Sequence, residues 1–200
     1  MLENIDIVDT QTAPLWDKET GKLTVFASRL EVTDRPEGGF DSRVRYLLVT
    51  SAAGTGEARE EEIPLEEDLS VIRAVILPEA AYLLMDRIED RNVPALGRPK
   101  NYCLGRYDRN TGEVTVSEII NRFFSVPDLY TEDFAADGDC VLYVAGKNEI
   151  LVFSPGFIYQ KTVPPTDSVA YICVPPASDG KPLIVSSIFY KKSFSGPSSR

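Results

Sequence analysis

The chain has 200 residues, with 31 Asp and Glu against 21 Lys and Arg, and no histidine. Its net charge of −10 opposes nucleic acid and anionic membrane surfaces, both of which need concentrated positive charge, and makes a basic protein the favoured partner. Without histidine there is no Ser-His-Asp or Cys-His activation of a nucleophile, no imidazole metal ligand and no imidazole pH switch.

Apolar residues are spread along the chain and make up 43% of it, enough to bury a core, and the length suits one domain or two small ones. No apolar run approaches the roughly 20 residues of a membrane helix. The stretch Met1–Asp6 lacks the apolar centre of a secretory signal, so a cytoplasmic location is expected. Cys103, Cys140 and Cys173 are odd in number, far apart and flanked by apolar residues. They read as three buried free thiols in a reducing compartment, with no Cys-x-x-Cys spacing for zinc. No cofactor and no metal are expected.

Residues 1–15 are polar and read as an N-terminal arm. Lys22–Val32 and Val44–Thr50 are rich in β-branched residues and predict strands, separated by the turn cluster Thr33–Gly39. Glu57–Asp68 is the densest charge run. The segment 66–90 supports two readings. Pro78–Asp90 fits a helix with proline in its first turn and a stripe of Ala80, Leu83, Leu84 and Ile88, and the same residues fit strands. Tyr102–Tyr107 and Val114–Phe124 predict strands, and so do Cys140–Ala145, Glu149–Phe153 and Phe157–Val163, which form a β-meander joined by tight turns. Val169–Val174 and Leu183–Tyr190 predict two more. The end, 193–200, is Ser-, Gly- and Pro-containing and reads as a flexible tail after a single β-repeat domain over 16–192.

Two stretches are near copies: Trp16-Asp-Lys-Glu-Thr-Gly-Lys-Leu-Thr-Val25 and Tyr107-Asp-Arg-Asn-Thr-Gly-Glu-Val-Thr-Val116. They lie 91 residues apart, about twice a propeller blade, and Tyr107 lies 46 residues before Phe153, the strand end ahead of Ser154–Gly156. The position expected near residue 62 holds Glu61-Glu-Ile-Pro64 and no Thr-Gly. The Asp-x-x-Thr-Gly turn resembles the outer hairpin of β-propeller blades of the kelch-like and quinoprotein-like groups. That resemblance implies a mainly β fold of antiparallel meanders, a small propeller of about four blades. In it, Lys22–Phe26 closes the ring against the strands of 169–190. An α+β domain with a helix in 66–90 and an irregular β-sandwich are the alternatives.

Carboxylates such as Asp86, Glu89, Asp90, Asp108, Asp128, Glu132, Asp133, Asp137 and Asp139 have no spacing that pairs them for glycoside hydrolysis. Asp137-Gly138-Asp139 lacks the remaining ligands of a calcium loop and reads as a turn. Trp16 is expected in inter-strand packing. No catalytic residue is assigned, and the expected function is a non-enzymatic, acidic protein-binding module. An inhibitor or immunity-type protein that masks a cationic partner fits these features. Its candidate surface is Glu57, Glu60, Glu61, Glu62, Glu66, Glu67 and Asp68, for which the plainer reading is a solvated loop or edge. The alternatives are a carbohydrate-binding or carbohydrate-active β-domain and a structural subunit of a larger assembly.

Overall fold

The computed structural model describes residues 5–8, 12–52, 57–90, 99–125, 133–146, 149–164, 169–173 and 183–186, with the backbone alone for 5–8, 169–173 and 183–186. The expected tail at 193–200 lies outside the described residues. Among them the fold is mainly β, in antiparallel sheets, and the only helical element is a 3-10 turn at Asn121–Phe123.

Sheet I holds β1 (Ile5–Val8), β2 (Leu15–Asp17), β3 (Lys22–Asp34), β4 (Phe40–Ala52) and β5 (Ala58–Ile63). β3 pairs along its whole length with β4, and β5 lies on the far side of β4. β1 and β2 share the other edge of β3, opposite Ala27–Leu30 and Lys22–Thr24. Sheet II is a meander in chain order, β6 (Leu69–Ile76), β7 (Ala80–Arg87), β8 (Tyr102–Asp108) and β9 (Val114–Val116). Sheet III repeats that order with β10 (Phe134–Ala136), β11 (Leu142–Ala145), β12 (Ile150–Phe153) and β13 (Tyr159–Val163). Sheet IV is the pair β14 (Val169–Cys173) and β15 (Leu183–Ser186), with β14 beside β10 and β11.

The segment 66–90 is a β-hairpin, not a helix. Pro78 and Glu79 form its turn, closed by the Leu77 N–H donating to the Ala80 carbonyl at 2.8 Å. Every residue from Ala80 to Asp86 is buried. Ala80, Tyr82 and Leu84 join a core with Leu104, Phe134, Leu142, Val144, Leu151 and Phe153 of sheets II and III. Ala81, Leu83 and Met85 join a second core with Phe26, Tyr46, Leu48 and Ile63 of sheet I. A strand covered on both faces needs an unbroken apolar run, and a helix stripe uses only part of that run. Successive meanders stacked face to face on a shared central sheet are a propeller-like arrangement.

The Asp-x-x-Thr-Gly turns form as expected. Asp17 Oδ1 accepts the N–H groups of Glu19 and Thr20 at 2.9 and 3.3 Å, and Asp108 Oδ1 accepts those of Asn110 and Thr111 at 3.0 and 3.2 Å. Gly21 and Gly112 follow with φ of 63° and 75°, a backbone that glycine adopts without strain. The two turns are not equivalent in the architecture. The first joins β2 to β3, at the start of sheet I, and the second joins the third and fourth strands of sheet II. Ser154–Gly156 joins the third and fourth strands of sheet III, so the 46-residue spacing marks the true equivalence. Glu61–Ile63 lies at the end of β5, which explains the missing turn. The expected ring closure is not formed by the described strands: β3 pairs with β1, β2 and β4, and β14 pairs with β15.

Three local expectations are corrected. The strand expected over Val114–Phe124 stops at Val116, because Ser117 and Asn121 extend the β8 ladder with side chains. Ser117 Oγ accepts the Leu104 N–H at 2.9 Å and Asn121 Oδ1 accepts the Tyr102 N–H at 2.8 Å. Trp16 is 49% exposed, since Leu15 is the β2 residue that turns inward. Of the thiols, Cys103 is buried, Cys140 is only partly covered, and the Cys173 side chain lies outside the described residues.

Asp137 shows how a buried carboxylate is used for structure. Its Oδ1 accepts the N–H groups of Asp139 and Val141 at 3.0 and 2.9 Å, and its Oδ2 accepts the Tyr143 hydroxyl at 2.8 Å. Asp137-Gly138-Asp139 is therefore the β10–β11 turn. Asp137→Ala leaves these donors without their acceptor and is expected to cost about 2–3 kcal/mol in urea unfolding. Asp137→Asn, which keeps an acceptor oxygen, is expected to cost less.

Candidate functional site

The acidic run spans the edge strand β5 and the turn after it. Side chains alternate along a strand, so Glu60 and Glu62 share one face with the outward side of sheet I while Glu61 and Ile63 face sheet II. The outward face is a ladder of ion pairs. Arg29 grips Glu60 with both guanidinium nitrogens, at 2.9 and 2.7 Å. Arg45 Nε donates to Glu62 Oε1 at 2.9 Å, its Nη2 donates to Glu62 Oε2, and its Nη1 donates to Glu31 at 2.8 Å. These hydrogen bonds hold the Glu62 carboxyl below its ordinary range and raise Arg45. Two of the expected site residues thus already carry guanidinium groups from their own sheet.

Glu61 points the other way. Its carboxylate takes a hydrogen bond from Tyr107 and lies 3.7 Å from Arg109 Nη2. It lines a cavity of about 400 Å³ with Lys22, Thr50, Glu57, Arg59 and Arg109. Burial first, and the Glu61 carboxylate second, push the Tyr107 hydroxyl up to about 12.

Glu66, Glu67 and Asp68 belong to the β5–β6 turn, where Asp68 lies 3.7 Å from Arg87. Glu66 and Glu67 are exposed and rim a second cavity of about 220 Å³. Its apolar floor is Ile63, Leu65, Leu69 and Ile88, and its far wall is Ser42–Tyr46 of β4. This wall is open because β5 pairs with β4 only from Tyr46 onward. Beyond that point the β3–β4 hairpin projects as an arm, closed by Gly38 and Gly39 at φ of 94° and 88°. Val44 is 47% and Phe40 66% exposed on the arm's inward face. The structure therefore gathers Glu62, Glu66 and Glu67 at one cavity and Glu57 and Glu61 at another, and leaves Glu60 paired with Arg29 on the outward face.

Sequence reasoning missed a third cluster. Tyr82 and Arg106 stand opposite each other on β7 and β8. Arg106 donates to the Tyr82 oxygen, and Tyr82 shares a second hydrogen bond with the Cys140 thiol of sheet III. Arg106 also donates to Asp108 Oδ2 at 2.7 Å. Tyr82, Arg106 and Cys140 line a cavity of about 450 Å³ with Thr115, Asp139 and Phe157. Cys140 and Phe157 both have left-handed backbones, with φ of 59° and 65°. Neither residue type signals that conformation in sequence, and the cluster depends on strand register. Among the described residues no group of three or more Cys, Asp or Glu can hold a metal ion.

The buried acids give a pH dependence with a definite sign. Burial pushes the Cys103 thiol up to about 11, while Tyr107 and, through burial and Asp137, Tyr143 reach about 12. Each is neutral when protonated and each is raised on folding, so its contribution is full below the unfolded value and lost as pH rises through the folded one. Stability is expected to fall from about pH 9 through 12. Urea midpoints across that range check it, and Tyr143→Phe is expected to flatten the upper part.

No family model matches the chain, and no curated protein matches it. Among described residues no helix is long and apolar enough to cross a membrane. A solved luciferin-regenerating enzyme is similar over 91% of this chain and 73% of its own, with 11% sequence identity and a TM-score of 0.44. At that level the likeness assigns neither a family nor an activity.

Proposed function

We propose that this chain is a non-enzymatic protein-binding module that holds a basic partner on the acidic edge formed by β5 and the β5–β6 turn. The observation that carries this reading is the way the edge treats guanidinium groups: Glu60 and Glu62 each hold an arginine through both carboxylate oxygens. Bidentate carboxylate–guanidinium geometry is the form that gives charge pairs specificity. Glu66 and Glu67 add two exposed carboxylates at the mouth of a cavity with an apolar floor. The net charge of −10 steers a cationic protein toward the chain. An inhibitor or immunity-type role in the cytoplasm belongs to this proposal.

Affinity capture on the immobilised chain tests it, with wild type and the triple variant Glu57→Lys, Glu66→Lys, Glu67→Lys run at low and high salt. A basic protein retained by wild type, released by salt and lost with the triple variant is the expected result. Equal capture by both chains overturns the reading.

A further inference from the structure

We propose that the free edge of the β3–β4 arm pairs two copies of this chain about a twofold axis through Ser42, joining their sheets I into one continuous sheet. This inference does not depend on the basic partner.

A strand edge without a neighbour presents a row of backbone donors and acceptors that recruits another strand. β5 ends opposite Tyr46, and Pro64 follows Ile63, so the strand line stops there and the edge of β4 from Phe40 to Arg45 has no described strand beside it. Along the rest of β4 that side is covered by β5, whose own outer edge carries Glu60, Glu61 and Glu62 in succession. The arm instead exposes Phe40 and Val44 on one face and carries Asp41 and Arg43 on the other.

Register decides the occupant. In an antiparallel pair about an axis normal to the sheet, facing residues lie on the same face, so only registers that match even with even and odd with odd numbers are allowed. Centring the axis on Ser42 sets Phe40 against the partner's Val44 and Asp41 against the partner's Arg43, each pair occurring twice. Moving the axis to Asp41 sets Asp41 against Asp41, and moving it to Arg43 sets Arg43 against Arg43. Directly opposed like charges destabilise a strand pair, and opposed unlike charges and apolar pairs stabilise it. The Ser42 register alone satisfies both faces of the arm. It also carries the partner's Arg35–Gly39 turn, which continues from Phe40, toward Arg45 and Tyr46 at the mouth of the cavity of about 220 Å³.

Sedimentation velocity over a concentration series tests the pairing. Wild type is expected to shift from monomer to dimer, and Asp41→Arg and Arg43→Asp are each expected to weaken the dimer by about tenfold or more. An equimolar mixture of the two variants restores both charge pairs and is expected to dimerise, which a variant damaged only within its own hairpin does not do. A second readout is Ser42→Cys. Facing residues at the axis have Cα atoms about 4.5–5.5 Å apart, within the range of a disulfide, so mild oxidation is expected to give a covalent dimer absent from wild type. A wild-type monomer at the highest concentration, a dimer unchanged in both charge variants, a mixture that stays monomeric, or no Ser42→Cys cross-link overturns the proposal.

Discussion

Phe153→Ala is expected to destabilise the chain by about 3–5 kcal/mol, the cost of removing a fully buried aromatic side chain. Phe153 is 0% exposed, at the end of β12. Its ring meets Phe123 edge-on at 5.7 Å and Tyr159 edge-on at 5.9 Å, while Phe123 and Tyr159 stack at 4.5 Å. The three rings come from different places. Phe123 belongs to the turn that follows sheet II, Phe153 to the third strand of sheet III and Tyr159 to its fourth. The cluster therefore ties the two sheets together, and the geometry adds about 0.5–1.5 kcal/mol per ring pair beyond the area buried. Urea unfolding of Phe153→Ala, Phe123→Ala and the double variant measures both quantities. A double variant whose loss equals the sum of the singles means that the rings do not cooperate.

The second large effect concerns neighbours that act apart. Leu83→Ala and Leu84→Ala are each expected to cost about 2–5 kcal/mol. Both residues are 0% exposed, but Leu83 faces Phe26, Leu48 and Ile63 of sheet I, while Leu84 faces the core shared with sheet III. With no common partners, the two losses are expected to add within about 0.5 kcal/mol, although the residues are adjacent in the chain. Measured coupling well above that value shows instead that the two cores respond as one. The sum approaches the whole stability of an ordinary domain of about 5–15 kcal/mol, so the double variant is expected to be largely unfolded at room temperature.

The parts of this molecule visible in sequence are those decided by local chemistry. Asp17 and Asp108 announce their turns because an aspartate two residues ahead of a backbone N–H caps it wherever it occurs. Cys140–Phe153 reads as a hairpin because apolar runs flank a turn. The Ala80–Asp86 strand is ambiguous in sequence for a physical reason: burial on two faces erases the alternation that separates strand from helix. The acidic run was visible as charge, yet its pairing was not. Whether Glu60 meets Arg29 and Glu62 meets Arg45 depends on the register of β3, β4 and β5, which brings together residues 31 and 17 positions apart. The Tyr82–Arg106–Cys140 cluster hides for the same reason, with the added requirement that sheet III be set against sheet II. Trp16 takes the outward face because alternation along the three-residue β2 turns Leu15 and Asp17 the other way, and of these Leu15 packs on the core.

The central place of sheet II has a consequence for motion. Among the described side chains, sheet II shares one core with sheet I and another with sheet III, so opening of these three sheets is expected to be a nearest-neighbour process. Loss of sheet I or of sheet III uncovers one face of β7 and leaves the other covered. Amide hydrogens of β7 and β8 are then released to solvent only when both flanks have opened, and they are the slowest to exchange with deuterium. In the monomer, the projecting end of the β3–β4 arm, with no described strand on either side, is expected to exchange first, and pairing of two arms is expected to slow the amides on its β4 edge.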